Sequence, residues 1–266
     1  MQLRSEDIQL YYEIQGDGFP VVLLHPFPTN HEFWKDVADR LGNRYRLLLP
    51  DLRALGRSEV GSGPATMEKH AADLTRLLDA TEIRRAAMVG VSIGGYILFE
   101  FWRRNRDRVV ALVLSNTRAE ADSEQGRASR LKSIEGARRH GTAPFIDGQI
   151  QNFIGESTRR NRPDIVAKAR AMMQSLTIDG LAALQQGMAE RPDSTPTLRT
   201  IDVNTLVIAG DEDTLTPVAN AQLMQRSIPA AKLHVIPSVG HYAAIENPDE
   251  FTRVLRQFLH GLQLGG

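Results

Sequence analysis

The chain has 266 residues, with 32 basic and 32 acidic side chains and a pI near 7.1. That balance offers no basic footprint for nucleic acid or for an anionic membrane surface. Cysteine is absent, which excludes a disulfide framework, thiol catalysis and thiolate metal sites and fits a reducing compartment.

Residues 1–16 (MQLRSEDIQLYYEIQG) are polar and strand-like. They contain no apolar stretch of the kind a signal peptide needs, and no apolar run approaches the ~18–20 residues of a membrane span. The expectation is a cytoplasmic protein acting on a small molecule. The length suits one large core, or one core with an inserted subdomain.

Taken in chain order, Ile8 to Ile14 predicts a strand, closed by the turn Gly16-Asp17-Gly18. Pro20 to Leu24 is a short run of branched apolar residues, suited to a strand buried on both faces of a parallel sheet. Asn30 is a candidate N-cap for a helix to Leu41. Arg46 to Pro50 predicts another buried strand, and Thr66 to Thr81 has helical periodicity. Ala86 to Gly90 (strand), Ile93 to Asn105 (helix) and Val109 to Leu114 (strand) continue the alternation. The basic cluster Arg103, Arg104, Arg106 and Arg108 reads as a solvated helix end.

The rhythm changes after Ser115. Arg118 to about Thr200 contains no buried-strand run, and Ser123 to His140, Asp164 to Leu176 and Gly180 to Glu190 look helical. This predicts a helical cap at 118–200 inserted into a core formed by 1–117 and 201–266. Alternation resumes with a strand at Thr205 to Gly210. Thr216-Pro217 reads as an N-cap and N1 proline opening a helix to Ser227. A strand follows at Lys232 to Ile236. Asn247-Pro248-Asp249-Glu250 then combines a cap, an N1 proline and two acids at the positive end of a helix dipole. That helix is expected to reach Leu262, with a frayed tail over 262–266.

Chemistry concentrates at strand ends. Gly90-Val91-Ser92-Ile93-Gly94 matches G-x-S-x-G directly between a strand and a helix, the context of a nucleophile elbow. The tight turn needs glycine neighbours and aims the Ser92 hydroxyl out of the sheet. A serine hydroxyl needs a base. His241, in the loop after the last strand, stands where α/β sites are built. The acid should fall between the two. Asp213 in Gly210-Asp211-Glu212-Asp213 is the choice, with Asp211 as the alternative and Glu212 read as solvated.

An oxyanion needs two N–H donors. Ile93, after the nucleophile, offers one. In His25-Pro26-Phe27-Pro28 the prolines have no N–H, which leaves Phe27 as the second. His25 reads as a residue that orients this loop. Phe145, Ile146, Phe153, Ile154, Met172 and Met173 are candidates for cap residues facing the substrate, though most residues at such spacing form core. Arg159, Arg160 and Arg162 read as a solvated run rather than an anion site.

The ordered segments LLHPFP, PDLRALGRS, MVGVSIGGYILFEF, VVALVLS, LVIAGDEDTLTP and SVGHYAAIENPDEF resemble the α/β-hydrolase superfamily over essentially the whole chain. Within it the chain is most similar to 3-oxoadipate enol-lactonase-like and small-ester hydrolases. The resemblance implies an eight-stranded, mostly parallel sheet and a helical cap after the sixth strand. It also implies a triad of Ser92, Asp213 and His241 with an oxyanion hole from Phe27 and Ile93. Pro26 and Ala54 stand where glycine is usual. Both tryptophans, Trp34 and Trp102, lie outside the cap, whereas enol-lactonases tend to carry tryptophan there.

The expected function is cleavage of a carboxylic ester or lactone through an acyl-enzyme, with no metal or organic cofactor required. The same triad would also serve C–C bond hydrolysis, perhydrolysis or lyase chemistry, and the fold also hosts non-catalytic ligand-binding receptors. An aspartate-nucleophile dehalogenase or epoxide hydrolase is disfavoured by Ser92.

Overall fold

A computed structural model describes residues 1–262. Eight strands form one sheet: β1 (Gln2–Ser5), β2 (Ile8–Gln15), β3 (Phe19–Leu24), β4 (Tyr45–Pro50), β5 (Ala86–Val91), β6 (Val109–Ser115), β7 (Thr205–Gly210) and β8 (Ala231–Ile236). Their spatial order is β1-β2-β4-β3-β5-β6-β7-β8. The β1–β2 and β2–β4 pairs are antiparallel and the other five are parallel.

The strand interiors explain this layering. All six residues of β5 and of β7 are buried, as a sheet covered by helices on both faces requires. Each fully buried Val, Leu or Ile contributes roughly 1.5–3 kcal/mol of burial free energy. By contrast, β2 alternates buried with half-buried positions, the period-two pattern of a strand near a solvated edge.

The helices of the core are α1 (Lys35–Leu41), α2 (Met67–Ala80) and α3 (Ile93–Asn105). Between β6 and β7 the described residues form helices and no strand: α4 (Glu124–His140), α5 (Ala143–Phe153), α6 (Glu156–Asn161), α7 (Pro163–Met173), α8 (Ile178–Ala189) and α9 (Thr195–Leu198). After β7 come α10 (Val218–Ser227), α11 (Ala243–Glu246) and α12 (Pro248–His260). Among the described residues, no helix is long and apolar enough to cross a membrane.

Two helix starts differ from expectation. Asn30 does cap, accepting the Glu32 N–H at 2.9 Å, but it opens a 3-10 turn (His31–Trp34) before α1 begins at Lys35. Thr216 is not an N-cap. Pro217 occupies that position and α10 starts at Val218, because the Thr216 hydroxyl is engaged by Asp213 instead. At the chain's end, the tail expected to fray over 262–266 lies outside the described residues apart from Leu262.

The chain passes from β3 outward to β4 and then returns to β5 on the other side of β3. This reversal makes the β3–β5 boundary a topological switch point, where crevices open at the strands' C-terminal ends. The loops after β3 and β5 carry Phe27 and Ser92. The loops after β6, β7 and β8 add Asn116, Asp213 and His241 along the same edge.

Candidate active site

Ser92 sits between β5 and α3 with φ 56° and ψ −114°. A non-glycine residue in this region is strained by roughly 1–3 kcal/mol and persists only where its surroundings hold it. Here the Ser92 N–H donates to Ser115 O at 3.0 Å, and its carbonyl accepts from Gly95 N at 2.9 Å and Thr117 Oγ1 at 2.8 Å. The glycines are sterically required. A Cβ on Gly90 would lie 2.5 Å from the Gly94 carbonyl carbon, one on Gly94 2.7 Å from Leu24 O, and one on Gly95 2.4 Å from Thr117 Oγ1.

His241 and Asp213 are both buried, and His241 Nδ1 lies 2.8 Å from Asp213 Oδ2. The carboxylate collects further donors. Oδ2 also accepts from Asn116 Nδ2 at 3.0 Å and Thr216 Oγ1 at 2.5 Å, while Oδ1 accepts the N–H groups of Leu215 and Thr216 at 2.9 and 3.0 Å. Burial alone would raise this carboxyl. The His241 charge and hydrogen bond, with those from Thr216, override burial and hold it at about 2. An ionised Asp213 places the imidazole proton on Nδ1 and leaves Nε2 free to accept one. Asp211, the alternative acid, accepts Ser238 N–H at 2.7 Å in an exposed turn instead.

The loop holding His241 is itself braced. Buried Glu246 accepts the Gly240 N–H with both oxygens at 3.0 Å, and also Tyr242 N–H at 3.1 Å and Gly155 N–H at 2.9 Å. A Cβ on Gly210 would meet Val239 O and Gly240 O at 2.4 Å, so β7 and this loop approach at backbone distance.

His25 is fully buried, and that burial lowers its pKa to about 4. Its neutral ring accepts Leu52 N–H at Nε2 (3.0 Å), so Nδ1 carries the proton and donates to Pro26 O at 3.0 Å. It orients the loop, as its position suggested. Phe27 O accepts the Tyr242 hydroxyl at 2.9 Å, which ties the Phe27–Pro28 peptide unit to the His241 loop. Ile93 is the first residue of α3, so its N–H has no intrahelical partner. At the second unusual position, Ala54 has φ 69°. That left-handed conformation carries no steric penalty for glycine and one for alanine.

Ser92 and His241 share a cavity of about 320 Å³ with Phe27. Of the proposed cap-facing residues, Phe145 and Phe153 line it. Ile146, Ile154, Met172 and Met173 are buried core, as helical spacing usually means. Arg160 and Arg162 pair with Glu156 and Asp164 at the surface, and Arg159 donates to the Gln151 and Ile154 carbonyls.

The sequence reading missed Asn116, Thr216, Glu246 and the cavity-lining Tyr96, Arg118, Asp122, Arg130 and Met188. Asn116 was findable, since it immediately follows β6 at the edge where sites form. No group of three or more His, Asp or Glu suited to a metal ion occurs among the described residues.

The fold and this strand-edge arrangement define a class. Residues 20–248 match the α/β-hydrolase fold family. The chain belongs to that family and is a hydrolytic enzyme of its type.

Among solved structures it is similar to a thermophilic esterase from Thermogutta terrifontis, at 36% identity and TM-score 0.95, covering 98% of this chain and 99% of that one. It is also similar to the enol-lactonase from Burkholderia xenovorans LB400, at 26% identity and TM-score 0.91, covering 98% and 100%. A curated relative, 3-oxoadipate enol-lactonase 2 of Acinetobacter baylyi, is 26% identical over 259 residues, or 95% of this chain and 94% of the relative.

Proposed function

We propose that the chain hydrolyses a carboxylic ester or lactone through an acyl-enzyme on Ser92. The observation that carries this is the buried Asp213–His241 pair at 2.8 Å sharing one cavity with a serine on a strained strand-to-helix turn. Esterase and enol-lactonase relatives support the substrate class.

In this reading His241 Nε2 takes the Ser92 hydroxyl proton as Oγ bonds to the carbonyl carbon. Asp213 holds the tautomer and stabilises the imidazolium. The oxyanion accepts hydrogen bonds from the N–H groups of Phe27 and Ile93. The C–O bond then breaks, and the leaving oxygen takes the proton from His241. His241 next removes a proton from water, whose oxygen attacks the acyl-enzyme. This releases the carboxylic acid and restores Ser92. Residues 118–200 act as a cap over the core formed by 1–117 and 201–266, and supply the aromatic wall of Phe145 and Phe153.

The test is release of p-nitrophenol from short esters by the purified protein beside Ser92→Ala. Sustained turnover abolished by the substitution supports the reaction. A single burst without turnover points to a ligand-binding role. Absence of any Ser92-dependent release from folded protein directs attention to C–C hydrolysis, perhydrolysis or lyase chemistry.

A further inference from the structure

The cavity above Ser92 has two chemically different walls. Phe27 packs on Phe145 with ring centroids 5.9 Å apart, and Phe153 lies 6.0 Å from the His241 ring. The second wall is a hydrogen-bonded ionic cluster. Buried Asp122 accepts Arg118 Nη2 at 2.7 Å and Arg191 Nη1 at 2.8 Å on Oδ1, and Arg130 Nε on Oδ2. Arg130 Nη1 continues to Gln185 Oε1 at 2.8 Å, and Arg191 stacks on the Tyr96 ring at 4.2 Å.

Three guanidinium groups on one carboxylate leave the cluster with an excess of positive charge. Asp122 is the one acid among the residues lining the cavity, where Arg118 and Arg130 also lie. A positive wall in a cleft with apolar surroundings focuses its field on the cleft and is screened less than a surface charge.

The three arginines are not equally committed. Arg130 and Arg191 each bond at least two partners within the protein. Arg118 bonds Asp122 through Nη2 and lies within reach of the Tyr96 hydroxyl. The Nε of Arg118 and of Arg191 alike has no partner among the described residues, but the Arg118 side chain stays 30% exposed against 18% for Arg130 and 3% for Arg191. It directly follows Thr117, whose hydroxyl bonds the Ser92 carbonyl.

We infer that Arg118, framed by Asp122 and Arg130, is a specificity-determining residue that binds a carboxylate carried on the substrate a few carbons from the scissile carbonyl. This rests on the reading of Ser92 as nucleophile. It narrows the substrate from esters in general to anionic half-esters, hydroxy-acid esters or carboxylated lactones. The aromatic wall accommodates the carbon skeleton between the two polar ends. A cavity of about 320 Å³ stands at the small end of ligand sites.

Two matched ester pairs test this and distinguish the acyl side from the alcohol side. Monoethyl adipate is compared with ethyl hexanoate, and 4-acetoxybutanoate with butyl acetate, by kcat/KM at low ionic strength. The charged member of at least one pair should win by about ten-fold or more, the value of a charge-assisted hydrogen bond. That ratio should collapse in Arg118→Gln, recover in part in Arg118→Lys, and shrink as salt is added. A purely structural role for Arg118 would lower both esters alike and leave the ratio in place. Near-equal rates on both pairs, or a preference that survives Arg118→Gln, overturn the inference. Should Arg118→Gln not fold, a wild-type ratio unmoved by salt overturns it instead.

Calorimetry on Ser92→Ala separates this inference from the proposed reaction. Binding of either carboxylate ester there, without hydrolysis by the wild type, would sink the reaction and keep the site. Hydrolysis without the charge preference would do the reverse.

Discussion

Replacing Asp213 by asparagine separates catalysis from stability in a way the hydrogen bonds define. The amide has two orientations. With its NH2 at the Oδ1 position it would face the Leu215 and Thr216 N–H groups, donor against donor. With its NH2 at the Oδ2 position those two bonds survive, and the Thr216 hydroxyl can rotate to accept. Asn116 Nδ2 loses one partner but keeps Gly240 O at 3.1 Å. The second orientation therefore wins, and it presents an N–H to His241 Nδ1. The imidazole must then accept at Nδ1 and carry its proton on Nε2, which leaves it unable to take the proton from Ser92.

The expected fall in kcat is about 10³–10⁴-fold, equivalent to about 4–5.5 kcal/mol of transition-state stabilisation. The stability loss should be only about 1–3 kcal/mol. Ester hydrolysis and urea unfolding, measured on the same preparation, check both halves. A folded Asp213→Asn variant within about ten-fold of wild-type kcat would refute the role assigned to Asp213 and the tautomer argument with it.

Other perturbations follow from the same contacts. The stability contributed by Asp213 is full above its ordinary value of 3.8 and is lost as pH falls toward about 2. Urea midpoints of wild type and Asp213→Asn should therefore converge across that interval. Gly95→Ala would drive a methyl into Thr117 and break its bond to the Ser92 carbonyl. It should cost about 1–3 kcal/mol, read as a lower urea midpoint, together with reduced kcat. Glu246→Ala removes the acceptor of the buried Gly155 and Gly240 N–H groups, a loss of roughly 2–6 kcal/mol at about 1–3 per orphaned donor. Glu246→Gln, which keeps one acceptor oxygen, should retain more of the thermal midpoint. Asp122→Asn leaves three arginines with a neutral partner, and thermal unfolding should show it destabilised by about 3–5 kcal/mol.

Much of the fold was legible because its signals are local. The buried strands are short branched runs, and the break in their rhythm after Ser115 marks where strands give way to helices. The elbow was legible for the same reason, since its steric demands fall on Gly90, Gly94 and Gly95, all within a few residues of Ser92. Thr216 shows the limit. A Thr-Pro pair is a sound local capping signal, but the Asp213 carboxylate, three residues earlier in the same loop, takes the Thr216 hydroxyl away from the helix N–H groups. The competitor is close in the chain, but its carboxylate is oriented by His241 and Asn116 from other strand ends, and local pattern carries no information about those.

The sequence by itself determined the alternation of strand and helix, the identity of the elbow and the order of Ser92, Asp213 and His241, because each depends on neighbours along the chain. Only the tertiary structure decided which acid meets His241, at 2.8 Å for Asp213, with Asp211 turned to Ser238 instead. It also decided that Arg118, Arg130 and Arg191 converge on Asp122. Arg118 and Asp122 stand four apart in the loop after β6, but Arg130 lies in α4 and Arg191 beyond α8, and no local period or spacing tells which more distant side chains join that pair.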